Sequence, residues 1–160
     1  MRNRDLTRQL QALASLLSRT KDACSGDIEM QSHWAKYLCV LYAGFLENAL
    51  TAVYSEFCRQ GTNDRVARFT ARSLERISNP KTAKFLDVTG DFEKEWRESL
   101  EAFVAEEGRR EAIDSIMANR HQIAHGRRSD ISLARVVEYF AKAVRVVEFV
   151  EDQCDSAPIK

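Results

Sequence analysis

The segment 109–128, which reads RREAIDSIMANRHQIAHGRR, concentrates the residue types best suited to chemistry on an anionic substrate. It contains five arginines against two acidic residues, a formal charge of +3, and two of the three histidines of the chain. Histidine titrates near neutral pH and can give and take protons, and arginine presents a planar fork of donors that fits a phosphate. The segment could therefore bind a phosphate and move protons around it, although a solvated arginine-rich surface would have the same composition.

Arg120 is the arginine whose position needs a physical reason. It lies on the helical line of Ile116 and Ile123, where an apolar residue would complete the stripe of a predicted helix. Burying an unpaired guanidinium costs several kcal/mol, so Arg120 must meet a partner. That partner is either an acidic side chain, with Glu47 and Asp114 as candidates, or a water or phosphate in a cleft or subunit interface.

His121 and His125 lie four residues apart and so on one face of a helix, a spacing with which two imidazoles can bind one metal. There is no HExxH motif and no neighbouring cluster of cysteines or acids, so we expect no metal and no other cofactor. Arg120 and His125 lie about 140° apart around an ideal helix and cannot both point into one pocket unless the helix end unwinds. A two-fold dimer, in which each chain presents the pair to a common cleft, would remove this difficulty.

The elements that must position these residues are all predicted to be helices. Apolar residues recur at intervals of three and four, Asp27 and Ser132 are predicted N-caps, and Gly126 is a predicted helix stop. The predicted helices cover residues 6–24, 27–60, 63–78, 80–88, 91–108, 109–125 and 132–154. The sequence thus predicts an all-α fold, a single antiparallel helical bundle with long central helices. We expect one domain, residues 1–154, and a frayed tail, residues 155–160.

Composition narrows the function classes further. The chain has 160 residues, enough for one domain with its own core, and 24 basic residues balance 24 acidic ones. Any nucleic acid must therefore be bound by a local basic patch. The four cysteines form no CxxC pair and indicate free thiols in a reducing compartment. The charged amino terminus is unlike a secretory signal, and no uninterrupted apolar run reaches the roughly 18–20 residues of a membrane span. We expect a cytoplasmic protein without membrane contact.

The run NRHQIAHG, with Arg120, His121 and His125, resembles the signature of the HEPN domain family: an arginine, a polar residue, a short spacer and a histidine. The helix order is also similar, with FLENAL on the long second helix and the motif on the penultimate long helix, as in the ribonuclease-type branch (RiboL-PSP-HEPN-like). The resemblance implies a homodimeric, metal-independent endoribonuclease of a kind that often acts in toxin–antitoxin or antiphage systems. Its partners would be RNA, a second copy of the chain and, in a toxin–antitoxin pair, an antitoxin protein.

The resemblance also implies roles for individual residues. His125 would act as general base or acid, with its counterpart from the second chain in the opposite role, and Arg120 would hold the scissile phosphate. His121 or Glu47 would orient these groups, Glu47 corresponding loosely to an acidic position on the second helix of the family. The products would carry 2′,3′-cyclic phosphate and 5′-hydroxyl ends. Four further arginines could hold flanking phosphates: Arg109, Arg110, Arg127 and Arg128.

Two other functions fit the same residues. The first is a binding module of the same fold, in which Arg120 and His125 dock a nucleotide or a partner protein and nothing is cut. The second is a purely structural helical dimer, in which substituting these residues would change stability alone.

Overall fold

Within residues 1–24 and 26–157, which the computed structural model describes, the chain forms seven α-helices and no β-strand. The helices are α1 (Arg4–Ala23), α2 (Ile28–Gly61), α3 (Asp64–Leu74), α4 (Thr82–Phe92), α5 (Lys94–Ala105), α6 (Arg109–Ala124) and α7 (Leu133–Ser156). The predicted all-α fold is confirmed. The helices also follow one another in the predicted order.

Helix α2 is the centre of the bundle and contacts α1, α3, α6 and α7. Its apolar residues pack through aromatic pairs at two levels. Tyr42 stacks on Phe140 of α7 with ring centroids 3.7 Å apart, and Tyr54 stacks on Phe92 of α4 at 4.4 Å. Each such pair adds about 0.5–1.5 kcal/mol beyond the apolar area that it buries. The core therefore fixes α4, α6 and α7 around α2.

The composition of α2 follows from this central place. The helix is long and apolar enough to cross a membrane, with a mean hydropathy of 1.3 over its most apolar 18 residues. However, 56% of that window is buried inside the bundle. A helix that contacts other helices on most of its faces is apolar nearly all round, so packing accounts for the pattern.

The predicted caps are confirmed at two helix starts. The Asp27 side chain accepts a hydrogen bond from the Met30 N–H at the start of α2, at 2.9 Å. The Ser132 hydroxyl accepts one from the Arg135 N–H at the start of α7, at 3.2 Å. These bonds satisfy backbone donors that have no partner inside the helix.

Helix α3 is shorter than its sequence pattern predicts. It ends at Leu74 instead of Ser78. The Leu74 carbonyl accepts a hydrogen bond from the Thr51 hydroxyl of α2 at 3.3 Å, and Glu47 of α2 accepts one from the backbone N–H of Asn79. Contacts with α2 thus turn the chain before the local pattern ends.

Two other boundaries also differ from the prediction. Asp91 and Phe92 belong to α4 and not to the following helix, because the Phe92 ring packs on Tyr54 of α2. Helix α7 continues to Ser156, two residues into the predicted tail. Of that tail, residues 158–160 lie outside the described residues.

Candidate active site at the end of α6

The core holds α6 firmly along most of its length. Ile113, Ile116 and Met117 are fully buried, and the Cys39 thiol of α2 lies 3.5 Å from the Ile116 carbonyl oxygen. Burial raises the pKa of Cys39 from its ordinary value of 9.0 to about 12, partly offset by a hydrogen bond with the Arg120 backbone. The thiol is therefore protonated at neutral pH and lies against the backbone of α6 near Arg120.

Helix α6 ends where the sequence predicts. His125 is the C-cap, and its N–H bonds to the carbonyls of His121 and Gln122, each at 3.2 Å. Gly126 follows with a φ of +66°, in the left-handed region that glycine adopts without steric cost. The Arg127 N–H then bonds back to the Gln122 carbonyl at 2.8 Å. These bonds close the last turn and set the direction in which the loop leaves.

The two histidines of the motif lie side by side. The ring centroids of His121 and His125 are 4.4 Å apart, the ring planes are inclined at 61°, and both residues are exposed. The expectation that they share one face of the helix is confirmed. Among the side chains that the structure describes, no group of three or more histidines, cysteines and acids could hold a metal ion. Because both imidazole rings are exposed, the pair can contact an external ligand.

Arg120 is half-buried and has no acidic partner within the described part of the chain. The two candidate acids are used elsewhere. Glu47 accepts a hydrogen bond from the Asn79 N–H, and Asp114 accepts one from the Thr82 N–H at 2.7 Å. The alternative in which Arg120 forms an ion pair with either acid is therefore wrong. The other alternative, in which Arg120 faces a cleft or subunit interface, stays a prediction: neither Arg120 nor His125 is among the residues that line the cleft beside His121.

Glu47 reaches the region of the motif through Asn79. Asn79 has a φ of +51°, which is uncommon for a residue with a side chain, and the bond to Glu47 helps to hold this conformation. A cleft of about 330 Å³ lies beside this turn. Its lining residues are Asn79, Lys81, Ala118, His121, Gln122 and Arg127. Glu47 thus positions one wall of a cleft whose other wall carries His121.

The structure corrects the prediction for Arg109. Its side chain is buried, its guanidinium carbon lies 3.9 Å from the centroid of the Phe103 ring, and Nη2 lies 2.6 Å from a Glu107 carboxylate oxygen. It cannot bind RNA without losing these contacts. Arg110 is exposed, but it lies at the same end of α6, about 22 Å along the helix axis from His125 at 1.5 Å per residue.

The two arginines after the motif are better placed to bind a phosphate than Arg109 and Arg110. Arg127 lines the cleft together with His121. Arg128 is exposed and its Nε lies 2.9 Å from Asp130. An exposed ion pair of this kind contributes little stability, so a phosphate could replace the carboxylate at small cost. The structure therefore brings together His121, His125 and Arg127.

A side-chain bridge that the sequence did not reveal fixes the loop after the motif. The Asn119 amide donates to the Ser115 carbonyl and accepts from the Ser129 hydroxyl, both at 2.8 Å. Ser129 is buried, so the bridge holds the loop against α6. Asn119 directly precedes Arg120 in the sequence, but Ser129, the partner of Asn119, lies ten residues further on. Only the fold shows which polar residue of the loop meets it.

Comparison with known proteins supports the resemblance seen in the sequence. The profile of the RiboL-PSP-HEPN family matches residues 2–156, which include the whole bundle and the NRHQIAHG motif. No curated protein and no solved structure shows significant similarity. The family match indicates a nuclease, another RNA-related protein or a nucleotide-binding protein.

Proposed function

This chain belongs to the RiboL-PSP-HEPN family, and we propose that it is an endoribonuclease that cuts RNA without a metal ion. The position of Arg120 carries the proposal. The residue is half-buried near the end of α6, lacks an acidic partner among the described residues, and precedes the paired imidazoles of His121 and His125. A guanidinium in this environment is suited to a phosphate, which offers it two or more oxygens.

The chemistry follows from the residue types. A general base removes the proton of a ribose 2′-hydroxyl, and the 2′-oxygen forms a bond to the adjacent phosphorus while the bond from phosphorus to the 5′-oxygen breaks. A general acid protonates that 5′-oxygen. His125 supplies one of these proton transfers, each typically worth about 10² to 10⁴ in rate. Arg120 stabilises the charge on the phosphorane. The ends are a 2′,3′-cyclic phosphate and a 5′-hydroxyl.

We further propose that two chains share the site. Acid and base must act on opposite sides of one phosphate, and a two-fold axis supplies a second His125 for this purpose. Helix α2 offers a surface for the second copy close to the motif: Tyr37 is 51% and Val40 is 38% exposed, while Cys39 between them contacts α6. Gly44 continues this exposed side, and a Cβ built on it would meet nothing within 4 Å. A mid-helix glycine is unfavourable by itself and allows close helix approach.

The biological output in this proposal is RNA damage inside the cell that makes the protein. A cytoplasmic nuclease of this kind acts as a toxin or an antiphage effector, and an antitoxin protein would hold it inactive. The family match supports the nuclease class. The cellular role and the antitoxin are proposals that follow from that class.

The test is cleavage of RNA by the purified protein in EDTA, beside Arg120→Ala and His125→Ala variants. We expect new 5′-hydroxyl and 2′,3′-cyclic phosphate ends with the wild type, and a loss of at least 10²-fold in kcat/KM with each variant. Arg145→Ala is the matched control, because Arg145 is an exposed arginine of α7 that pairs with Glu148. It should cut as fast as the wild type.

Two outcomes would change the proposal. Cleavage that persists in both variants would place the activity elsewhere or assign it to a contaminant. RNA or nucleotide binding without turnover in the wild type would instead support the binding module of the same fold.

A further inference from the structure

The segment formed by α3 and the loop that follows it is more basic than the motif segment. Residues 64–84 contain six basic residues against two acidic ones, a formal charge of +4, compared with +3 for residues 109–128. None of its residues belongs to the candidate site predicted from the sequence. Its charge pattern needs its own physical explanation.

The basic residues of α3 form one face. Arg65, Arg68 and Arg72 follow one another at intervals of three and four residues, which aligns them along a helix. Arg76 continues the same line just after the helix ends, and all four are exposed. Phe69 lies among them with 74% of its surface exposed. The outer face of α3 therefore combines an open aromatic ring with a row of guanidiniums.

None of these four arginines has an acidic partner within the described part of the chain. Arg68 donates only to the backbone carbonyl of Asp64, at 3.2 Å. Some arginines on other helices pair with a nearby acid, among them Arg59 with Glu56, Arg97 with Asp87 and Arg145 with Glu148. What distinguishes α3 is that four exposed arginines without such a partner lie in one row. The α3 row is thus positive charge that the fold leaves uncompensated, and a polyanion would compensate it.

The row leads to the candidate active site. The segment after Arg76 is held against α2 and α6 by the bonds from Asn79 to Glu47 and from Thr82 to Asp114. Lys81, in the same segment, lines the cleft beside His121. From Arg65 to Arg76 the face extends for about 16 Å at 1.5 Å per residue.

We propose that the outer face of α3 binds single-stranded RNA, with Phe69 stacking on a base and Arg65, Arg68 and Arg72 contacting phosphates on either side. Aromatic stacking together with a basic groove is how proteins bind single strands without reading their sequence. The face would carry the substrate toward the cleft between α6 and the Lys81 segment. This inference rests on the proposed function for the choice of RNA as the ligand.

Binding should be measured separately from cleavage. The probe is a fluorescein-labelled 20-nucleotide oligouridine, titrated in EDTA with His125→Ala protein and followed by fluorescence anisotropy at several salt concentrations. Three variants are compared in that background: Phe69→Ala, Arg65→Ala/Arg72→Ala, and the control Arg8→Ala/Arg145→Ala. The control removes the same charge from exposed positions on α1 and α7.

The expected results differ between the two α3 variants. Phe69→Ala should weaken binding about 5- to 100-fold at every salt concentration, because it removes one stacking contact. Phe69→Trp should restore it. The double arginine variant should reduce the slope of log K against log salt by about 1.4, since each lost phosphate contact on a single strand contributes about 0.7. The control should stay within twofold of its parent.

The measurements distinguish an error in the proposed RNA-binding surface from an error in the proposed nuclease activity. If both α3 variants bind oligouridine as tightly as the parent, or if the parent does not bind it, the RNA surface is overturned and a protein partner becomes the explanation for Phe69. If the parent binds and the α3 variants do not, but wild-type protein cuts no RNA, the surface stands and the catalytic proposal falls.

Discussion

For Arg120, the shape of the side chain matters as much as its charge. A guanidinium can donate two parallel hydrogen bonds to one phosphate, whereas a lysine ammonium acts as a point charge. We therefore predict that Arg120→Lys lowers kcat/KM for RNA about 100-fold, a loss typical of removing one oriented donor to a developing charge. Arg145→Lys on α7 should have no effect. Wild-type rates with Arg120→Lys would show that positive charge alone suffices.

The hydrogen bond between the Asn119 and Ser129 side chains supports a second prediction about individual residues. Asn119→Ala would leave the buried Ser129 hydroxyl without its partner, at a cost of about 1–3 kcal/mol in the free energy of unfolding. Ser129→Ala in the same background should recover part of that loss, because no unsatisfied hydroxyl remains. Urea denaturation of the two single variants and the double variant measures the coupling. Strictly additive losses would mean that the bridge contributes nothing.

Among the helices, α2 is the one on which we expect the second copy of the chain to pack. Gly44→Ala adds a methyl group where nothing lies within 4 Å, so in the isolated chain it should stabilise the helix by about 0.5–1 kcal/mol. In a dimer that packs on this face, the same methyl group should raise the dissociation constant. Sedimentation and thermal unfolding at low and high protein concentration separate the two effects.

Gly61→Ala is the matched control for this prediction. Gly61 is the last residue of α2 and also has nothing within 4 Å of an added Cβ, but it lies at the other end of the helix. It should not change the dissociation constant. If neither Gly44→Ala nor Gly61→Ala changes the dissociation constant of the dimer, the second copy does not pack on the Gly44 face of α2.

The helices also show how much of the structure could be predicted from the sequence alone. Helix order, the caps at Asp27 and Ser132 and the stop at Gly126 depend on neighbours a few residues away, so local patterns suffice for them. The spacing of the arginines on α3 is equally local. The partners of Glu47 and Arg109 are different. Glu47 meets Asn79, 32 residues away in the sequence, and Arg109 meets Phe103 because the turn between α5 and α6 folds the chain back. A charge pattern therefore identifies candidates, and only the fold separates buried arginines from available ones.

At the scale of the whole molecule, buried thiols link stability to pH. Burial raises the pKa of Cys39 and Cys154 from the ordinary value of 9.0 to about 12. In the unfolded chain these thiols lose their protons near pH 9, whereas in the folded protein they keep them. The unfolded state is therefore favoured as pH rises from 9 to 12, and the stabilisation is complete only below pH 9.

We predict a fall in the free energy of unfolding of roughly 1 kcal/mol for each of these thiols between pH 8 and pH 10. Urea denaturation at the two pH values measures it. Cys39→Ala should show a smaller fall than the wild type, since one of the buried thiols with a raised pKa is gone. Equal stability at pH 8 and pH 10 in the wild type would contradict the assigned burial of the thiols.

The most direct test of two chains assembled around one phosphate is a mixing experiment. Wild-type and His125→Ala protein are mixed in equal amounts, and RNA cleavage in EDTA is measured after the subunits have exchanged. If one shared site needs both copies of His125, only dimers of two wild-type chains cut RNA. The mixture then shows about one quarter of the rate of the same total amount of wild type. A rate of about one half would mean that each chain cuts with its own histidine, which would contradict the shared site.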